Sequence, residues 1–336
     1  MKINDRMNRS LRDLRISVTD RCNFRCRYCM PEELYGEAYK FLNKNEILSF
    51  EEIVRLSRIF VDLGVNKIRL TGGEPLVRSD IQGLVKDLSS IEQKLDLAMT
   101  TNGYLLEKYA KNLFVAGLKR LTVSLDSLDE STFKEMSGKD FSVEKVLKGI
   151  QSAIDSGFTG IKINCVVKKG SNEDSILDLV DYCKSSNLIL RFIEFMDVGT
   201  LNSWDSKHVY PSKDLIELIS KNYAITPIEK NYSGEVVDRF EFNDGSGELG
   251  FISSVSNPFC SSCTRARIST DGRLVTCLFS EDGVDLKSAL RNGKSDDFIS
   301  NMIVSTWENR NDKYSSDRSS GLNKRSSKIE MFQLGG

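Results

Sequence analysis

Six of the eight cysteines in this 336-residue chain fall into two groups of three. Cys22, Cys26 and Cys29 stand in "TDRCNFRCRYCM", and Cys260, Cys263 and Cys277 in "NPFCSSCTRARISTDGRLVTC". The spacings are C-x3-C-x2-C and C-x2-C-x13-C. Soft thiolates without imidazole or paired carboxylates suit zinc or an iron–sulfur cluster. A structural zinc site closes with four ligands, and neither group has a fourth cysteine or a histidine close by. Three thiolates on a four-iron cubane would leave one iron open to a small molecule. A zinc staple completed by water or a distant residue stays open for the second group. Cys165 and Cys183 lie in apolar runs and read as small buried hydrophobes. The single histidine, His208, sits in a polar connecting segment and is expected to be exposed and structural.

The whole chain bounds these readings. It is 40% hydrophobic and 28% charged, with a formal net charge of −1. That composition suits a globular protein with a substantial core and gives no global pull toward nucleic acid or an anionic membrane. No apolar run approaches the ~18 residues of a membrane span. The opening "MKINDRMNRSLRDLRISV" is too charged for a signal peptide. The cytosol is the expected location, and there eight cysteines favour metal binding or catalysis over disulfides.

The elements that position these groups follow from periodicity. From residue 14 to 196, β-branched runs alternate with amphipathic helical patterns: "LRISVT", "NKIRLTGG", "LDLAMTTNG", "KRLTVSLD", "GIKINCVV" and "LILRFIEFM" are the strands. Ser49 and Glu52 make a capping box for one helix, Ser79 and Gln82 are predicted to repeat it, and Gly64 and Gly157 mark helix ends. Six strand–helix units imply a parallel sheet, open or curled. Residues two apart share a strand face. Arg15, Ser17 and Thr19, Arg69, Thr100, Ser124 and Asp126, Lys162 and Asn164, and Glu194 and Met196 are read as one polar face. Lys67 and Arg191 are read as out of phase with it. A doubly wound sheet would have both faces apolar, so an incomplete (β/α)6 TIM-like barrel with a polar lumen is favoured. Polar residues confined to strand ends remain the alternative. After 197 the rhythm changes to antiparallel strands around "DRFEFN" and "GELGFISSVS", the second cysteine group, a helix near "DDFISNMIVSTWENR", and a basic tail ending in Gly335 and Gly336. The division expected is 1–196 and 197–336.

C-x3-C-x2-C after the first strand, with Tyr28 before the last cysteine and "TGGEP" after the second strand, resembles the radical S-adenosylmethionine enzymes. The resemblance implies a four-iron cluster on Cys22, Cys26 and Cys29 whose open iron is chelated by S-adenosyl-L-methionine. It also implies one-electron cleavage of that cofactor to a 5′-deoxyadenosyl radical. By motif, Tyr28, Gly73, Glu74, Ser124 and Met196 would form the S-adenosylmethionine pocket. "RFIEFMDVG", "FCSSCTRARISTDGRLVTCLF" and the terminal "GG" narrow the likeness to the branch serving molybdenum-cofactor biosynthesis.

That narrower resemblance implies two 4Fe–4S clusters, the second on Cys260, Cys263 and Cys277 in an antiparallel C-terminal extension, with the guanine of GTP at its open iron. GTP would be held by Arg15, Arg69, Thr100, Lys162, Arg265, Ala266 and Arg267, and the tail residues Gly335 and Gly336 would act in catalysis. The ribose carbon 3′ would be joined to guanine carbon 8, the product passing to cyclic pyranopterin monophosphate synthase. A low-potential electron donor is expected as a partner, and a homodimer stays open. Two rival readings remain. One is a radical enzyme that modifies peptides and carries an auxiliary cluster; the other is a non-catalytic zinc or iron–sulfur protein that binds nucleotide.

Overall fold

The strands that carry the polar face also carry the core, because each alternates Leu, Ile or Val with a polar residue. In the computed structural model, which describes residues 3–92, 94–200, 202–232, 234–318 and 328–335, these strands run around a curved sheet. They are β1 (Asp13–Ser17), β2 (Lys67–Thr71), β3 (Asp96–Thr101), β4 (Arg120–Ser124), β5 (Lys162–Val167) and β6 (Ile189–Glu194). The C-terminal part adds β7 (Ile225–Ile228), β8 (Asp238–Phe242), β9 (Glu248–Ile252), β10 (Arg265–Ile268), β11 (Arg273–Val275) and β12 (Val284–Asp285). The order is β12-β11-β10-β1-β2-β3-β4-β5-β6-β9-β8-β7: one mixed sheet that does not close.

Leu14, Ile16, Ile68, Leu70, Val123, Ile163 and Leu190 are buried on the outer face, where they join side chains of the helices Phe50–Asp62, Ile81–Ser89, Leu106–Val115, Val143–Asp155 and Ile176–Ser185 in one core. Burying each such side chain contributes roughly 1.5–3 kcal/mol. Among the described residues no helix is long and apolar enough to cross a membrane.

Several expectations change at this level. The C-terminal strands are not simply antiparallel: β9 pairs parallel with β6, and β10 parallel with β1, so this region extends both edges of the barrel sheet. Ser49 and Glu52 do form the capping box. Ser79 and Gln82 do not, because Asp80 takes a left-handed conformation (φ 58) at the N-cap and the helix starts at Ile81. His208 is half-buried rather than exposed; it ends the 3-10 turn Ser206–His208, and its carbonyl accepts from the Lys169 N–H.

Glu194 is the clearest reversal. Asn164 and Arg191 are register partners across β5 and β6, so Arg191 and Ile193 face the lumen and Glu194 faces away. Buried at 1% exposure, Glu194 accepts from the Ser212 N–H and hydroxyl, the Val255 and Ser256 N–H groups and the Ser256 hydroxyl. It ties the C-terminal region to the end of β6. Glu194→Ala strips these donors of their acceptor and is expected to lower unfolding stability by about 3 kcal/mol. Glu194→Gln, which keeps one carbonyl acceptor, should lose about half of that, as read from urea midpoints at an unchanged slope.

Candidate active site

The first cysteine group lies in the loop that leaves β1, against "TGG" from the end of β2. The Val18 N–H donates to the Thr71 carbonyl (2.8 Å), the Gly73 N–H to Thr19 (2.7 Å) and the Glu74 N–H to Arg21 (2.9 Å). Two backbones run side by side here, and only glycine allows it: a Cβ at Gly72 would overlap the Thr19 carbonyl, and one at Gly73 the Arg21 carbonyl. Glu74 is fully enclosed and braces the turn, accepting from the Leu76 N–H, the Thr101 hydroxyl and the Asn102 N–H. Burial pushes its carboxyl up to about 7. The Tyr28 hydroxyl donates to Asp126 (2.8 Å), whose other oxygen accepts from the Val166 N–H.

The three thiols suit a cationic iron–sulfur core. Burial raises all three, Cys22 to about 12, and Cys22 and Cys29 raise Cys26 further by repulsion. Such thiols hold their protons until a positive centre replaces them. The Phe24 N–H (3.4 Å) and the Asn102 amide (3.8 Å) point at the Cys22 sulfur, as donors to a ligating thiolate would. Among the described residues, no three His, Cys, Asp or Glu side chains are arranged to hold a single metal ion.

The second group sits across the lumen. Cys260 to Ser262 form a 3-10 turn, and Cys277 follows the hairpin of β10 and β11, which turns at Gly272 (φ +82) as its "TDGR" predicts. Cys260, Cys263 and Cys277 line a chamber of 170 Å³ together with Arg15, Arg69, Arg265, Arg267 and Thr100. Arginine surrounds these sulfurs. The Arg9 guanidinium donates to the Cys260 carbonyl (2.7 Å), Arg310 to the Cys263 carbonyl (2.8 Å), and Arg265 to the Cys263 sulfur (3.4 Å). Burial alone would raise the Cys263 thiol, but Arg265 and then Arg310 overcome it and bring the group down to about 6.

Strand register explains how the lumen becomes cationic. Arg15 of β1 lies between its register partners Arg267 on β10 and Arg69 on β2, and one row lower Asp13 lies between Arg265 and Lys67. Arg69 donates to the hydroxyls of Thr100 and Thr122 (both 3.0 Å). The side chains of Arg15 and Lys162 form no hydrogen bond or ion pair among the described residues. Below the chamber a cavity of 980 Å³ is lined by eleven Lys and Arg against five Asp and Glu, in a chain whose net charge is −1. Burial and then the neighbouring cations lower the proton affinity of Arg15, and bring Lys162 to about 7. A guanidinium stays charged regardless, so the repulsion persists until an anion relieves it.

The structure thus brings Arg15, Arg69, Thr100, Lys162, Arg265 and Arg267 to one lumen. Met196 lines the chamber, and Ser124 shares the inner face with its register partner Asn164. Ala266 does not join them: its methyl is buried in the core on the opposite face of β10. Gly335 does, its carbonyl accepting from Arg267 (2.7 Å); Gly336 lies outside the described residues. Lys67 and Arg191, ranked below the others from the sequence, both line the cationic cavity. Lys67 and Arg69 are two apart on β2 and therefore share its inner face, in phase rather than out of phase. Arg9 and Arg310 were missed, since nothing in their local sequence signals a cysteine site some 250 residues away in one case.

Comparison with known proteins bears on what this chamber serves. Residues 16–183 match the Radical SAM superfamily and residues 188–316 match Molybdenum Cofactor Synthesis C. A GTP 3′,8-cyclase from Staphylococcus epidermidis is 46% identical over 99% of both chains. The chain belongs to the GTP 3′,8-cyclases. Those of Staphylococcus haemolyticus and Staphylococcus aureus are 44% and 42% identical, over 100% of this chain and 99% of theirs. The family uses radical chemistry in molybdenum-cofactor synthesis, and its radical domain implies S-adenosylmethionine and one four-iron cluster. In fold, the chain is similar to Streptococcus suis SuiB bound to S-adenosylmethionine, with a TM-score of 0.61 and 19% identity over 95% of this chain and 71% of that one.

Two outcomes follow from the cyclase site. Gly73→Ala is expected to cost roughly 1–3 kcal/mol and to lower the iron retained per chain, read by thermal unfolding and metal analysis. A triphosphate bound beside Lys162 would favour its protonated form, so binding would take up a proton and affinity would fall as pH rises above about 7. Calorimetry in buffers of different ionisation enthalpy reads that uptake, and Lys162→Gln should diminish it.

Proposed function

We propose that the chain binds GTP in the arginine-lined chamber, between a four-iron cluster with S-adenosylmethionine at Cys22, Cys26 and Cys29 and a second four-iron cluster at Cys260, Cys263 and Cys277. The observation that carries this reading is the row Arg267–Arg15–Arg69, three guanidinium groups on adjacent strands at one level, with no carboxylate among them. A triphosphate supplies the missing charge and accepts forked donors from several sides. When bound, the first cluster and S-adenosylmethionine would supply one-electron radical chemistry to remove the hydrogen atom at ribose carbon 3′, and closure onto guanine carbon 8 would consume one further electron and a proton. The product in this reading is (8S)-3′,8-cyclo-7,8-dihydroguanosine 5′-triphosphate, which passes to cyclic pyranopterin monophosphate synthase.

The chain's own residues do the rest. Lys67, Lys162 and Arg191 receive phosphate oxygens in the lower cavity, and Arg15, Arg69, Arg265 and Arg267 address the nucleotide above it. Tyr28, fixed by Asp126, together with Gly73, Ser124 and Met196, shapes the S-adenosylmethionine side, and Glu74 holds the glycine turn. Gly335 reaches the chamber through Arg267, and Gly335 with Gly336 would act there. Ile193, Val236, Ile252 and Phe259 line the same chamber and exclude water from a reactive intermediate. Residues 1–196 would carry the first cluster and 197–336 the second, and both would contribute cations to the GTP site. Eight free thiols suit the reducing cytosol, where a low-potential electron donor would be met.

SuiB is also recorded with a precursor peptide, at 18% identity; that likeness shows the fold alone, and a cationic lumen favours a nucleotide over a peptide. The test is anaerobic incubation of reduced, iron-loaded protein with S-adenosylmethionine and GTP. Production of 5′-deoxyadenosine and the cyclised nucleotide is expected, with about eight irons per chain. In Cys277→Ala, iron should fall to about four per chain, with S-adenosylmethionine binding retained and GTP conversion lost. Unchanged nucleotide product from that variant would remove the second group from the reaction, and zinc without iron would favour a structural staple.

A further inference from the structure

The short helix Met331–Leu334 lies between the two cysteine groups. On one side the Phe332 ring meets Tyr35 edge-on with centroids 4.9 Å apart, and Tyr39 at 6.4 Å. That aromatic nest is a cluster separate from the main core, and Cys22 and Cys29 pack against it. On the other side Met331 packs with Met196 and Cys277 against Val198, Phe279 and Tyr314. Polar ties hold the ends: the Ile329 N–H donates to Ser280 (3.0 Å), the Thr270 N–H to Gln333 (3.2 Å), and the Thr200 N–H to the Glu330 carboxylate (2.9 Å). The turn then reaches Gly335 at φ +71, where a Cβ would overlap the Thr71 side chain. There its carbonyl takes the Arg267 N–H.

We propose that Phe332 is a positioning residue for Arg267: seated against the Tyr35–Tyr39 pair beside the first cysteine group, it fixes the turn whose last carbonyl orients that guanidinium toward the substrate. An arginine side chain loses much rotamer freedom when it binds an anion, and a guanidinium already held at one N–H loses less. The aromatic plug lies on the S-adenosylmethionine side, whereas the arginine it steers lies on the nucleotide side. The proposal rests on the reading of the chamber as a GTP site.

The test measures GTP affinity by calorimetry on full-length, iron-loaded protein for Phe332→Ala, Arg267→Ala and the double variant. Phe332→Ala should weaken GTP binding about tenfold while iron content and S-adenosylmethionine affinity hold, and the further loss in the Arg267→Ala background should be much smaller. Phe332→Leu, which refills the pocket with an apolar side chain, should recover most of the affinity. An equal loss in both backgrounds, an unchanged affinity, or iron lost from Phe332→Ala would overturn the assignment. Failure of the unaltered protein to bind GTP would instead overturn the chamber reading on which it rests.

Discussion

Repulsion among guanidinium groups held in register governs this molecule. Parallel pairing of β10, β1 and β2 sets Arg267, Arg15 and Arg69 side by side, with their Cα atoms fixed at one level of the sheet. The backbone hydrogen bonds of three strands keep the charges together, and the outer face of the same strands supplies apolar burial to offset the cost. Hydroxyls from Thr100 and Thr122 satisfy Arg69 without neutralising it. The result is a rigid scaffold with stored electrostatic demand, which an anionic ligand meets without reorganising the protein.

The two cysteine groups differ in their electrostatic surroundings. Around the first, Glu74, Asp126 and Glu330 add negative potential to the thiols, neutral amides point at the Cys22 sulfur, and the Arg25 guanidinium donates to the Cys22 carbonyl. Around the second, Arg9, Arg265 and Arg310 donate to carbonyls or sulfur of the ligand loop. Local charge and hydrogen bonding tune iron–sulfur centres, so two groups with the same three-thiol composition are set apart by the balance of their neighbours, carboxylates outnumbering arginine at the first and arginines outnumbering carboxylate at the second.

Much of this was legible in the sequence because it was local. The capping box at Ser49 and Glu52, the hairpin around Gly272, the glycine pair after β2 and the alternation of β1 through β5 each depend on residues a few positions apart. The failures also have physical reasons. Glu194 and Arg191 exchanged faces because the phase of β6 is set by its pairing with β5, and polarity alone did not identify which polar residue was the lumen one. Asp80 displaced a helix start by adopting a conformation that aspartate tolerates and most residues avoid. Arg9 and Arg310 meet the second cysteine group across 251 and 47 residues of chain, separations that no short window contains.

The last strands to be synthesised cover both margins of the sheet, β10 beside β1 and β9 beside β6. A ribosome that has released only the first six strands therefore exposes two rows of unpaired amides, a template for wrong pairing with other chains. Protection at the β1 margin waits until residue 268 has emerged. Until then the nascent sheet carries an open edge that its own later strands must reach before another chain does.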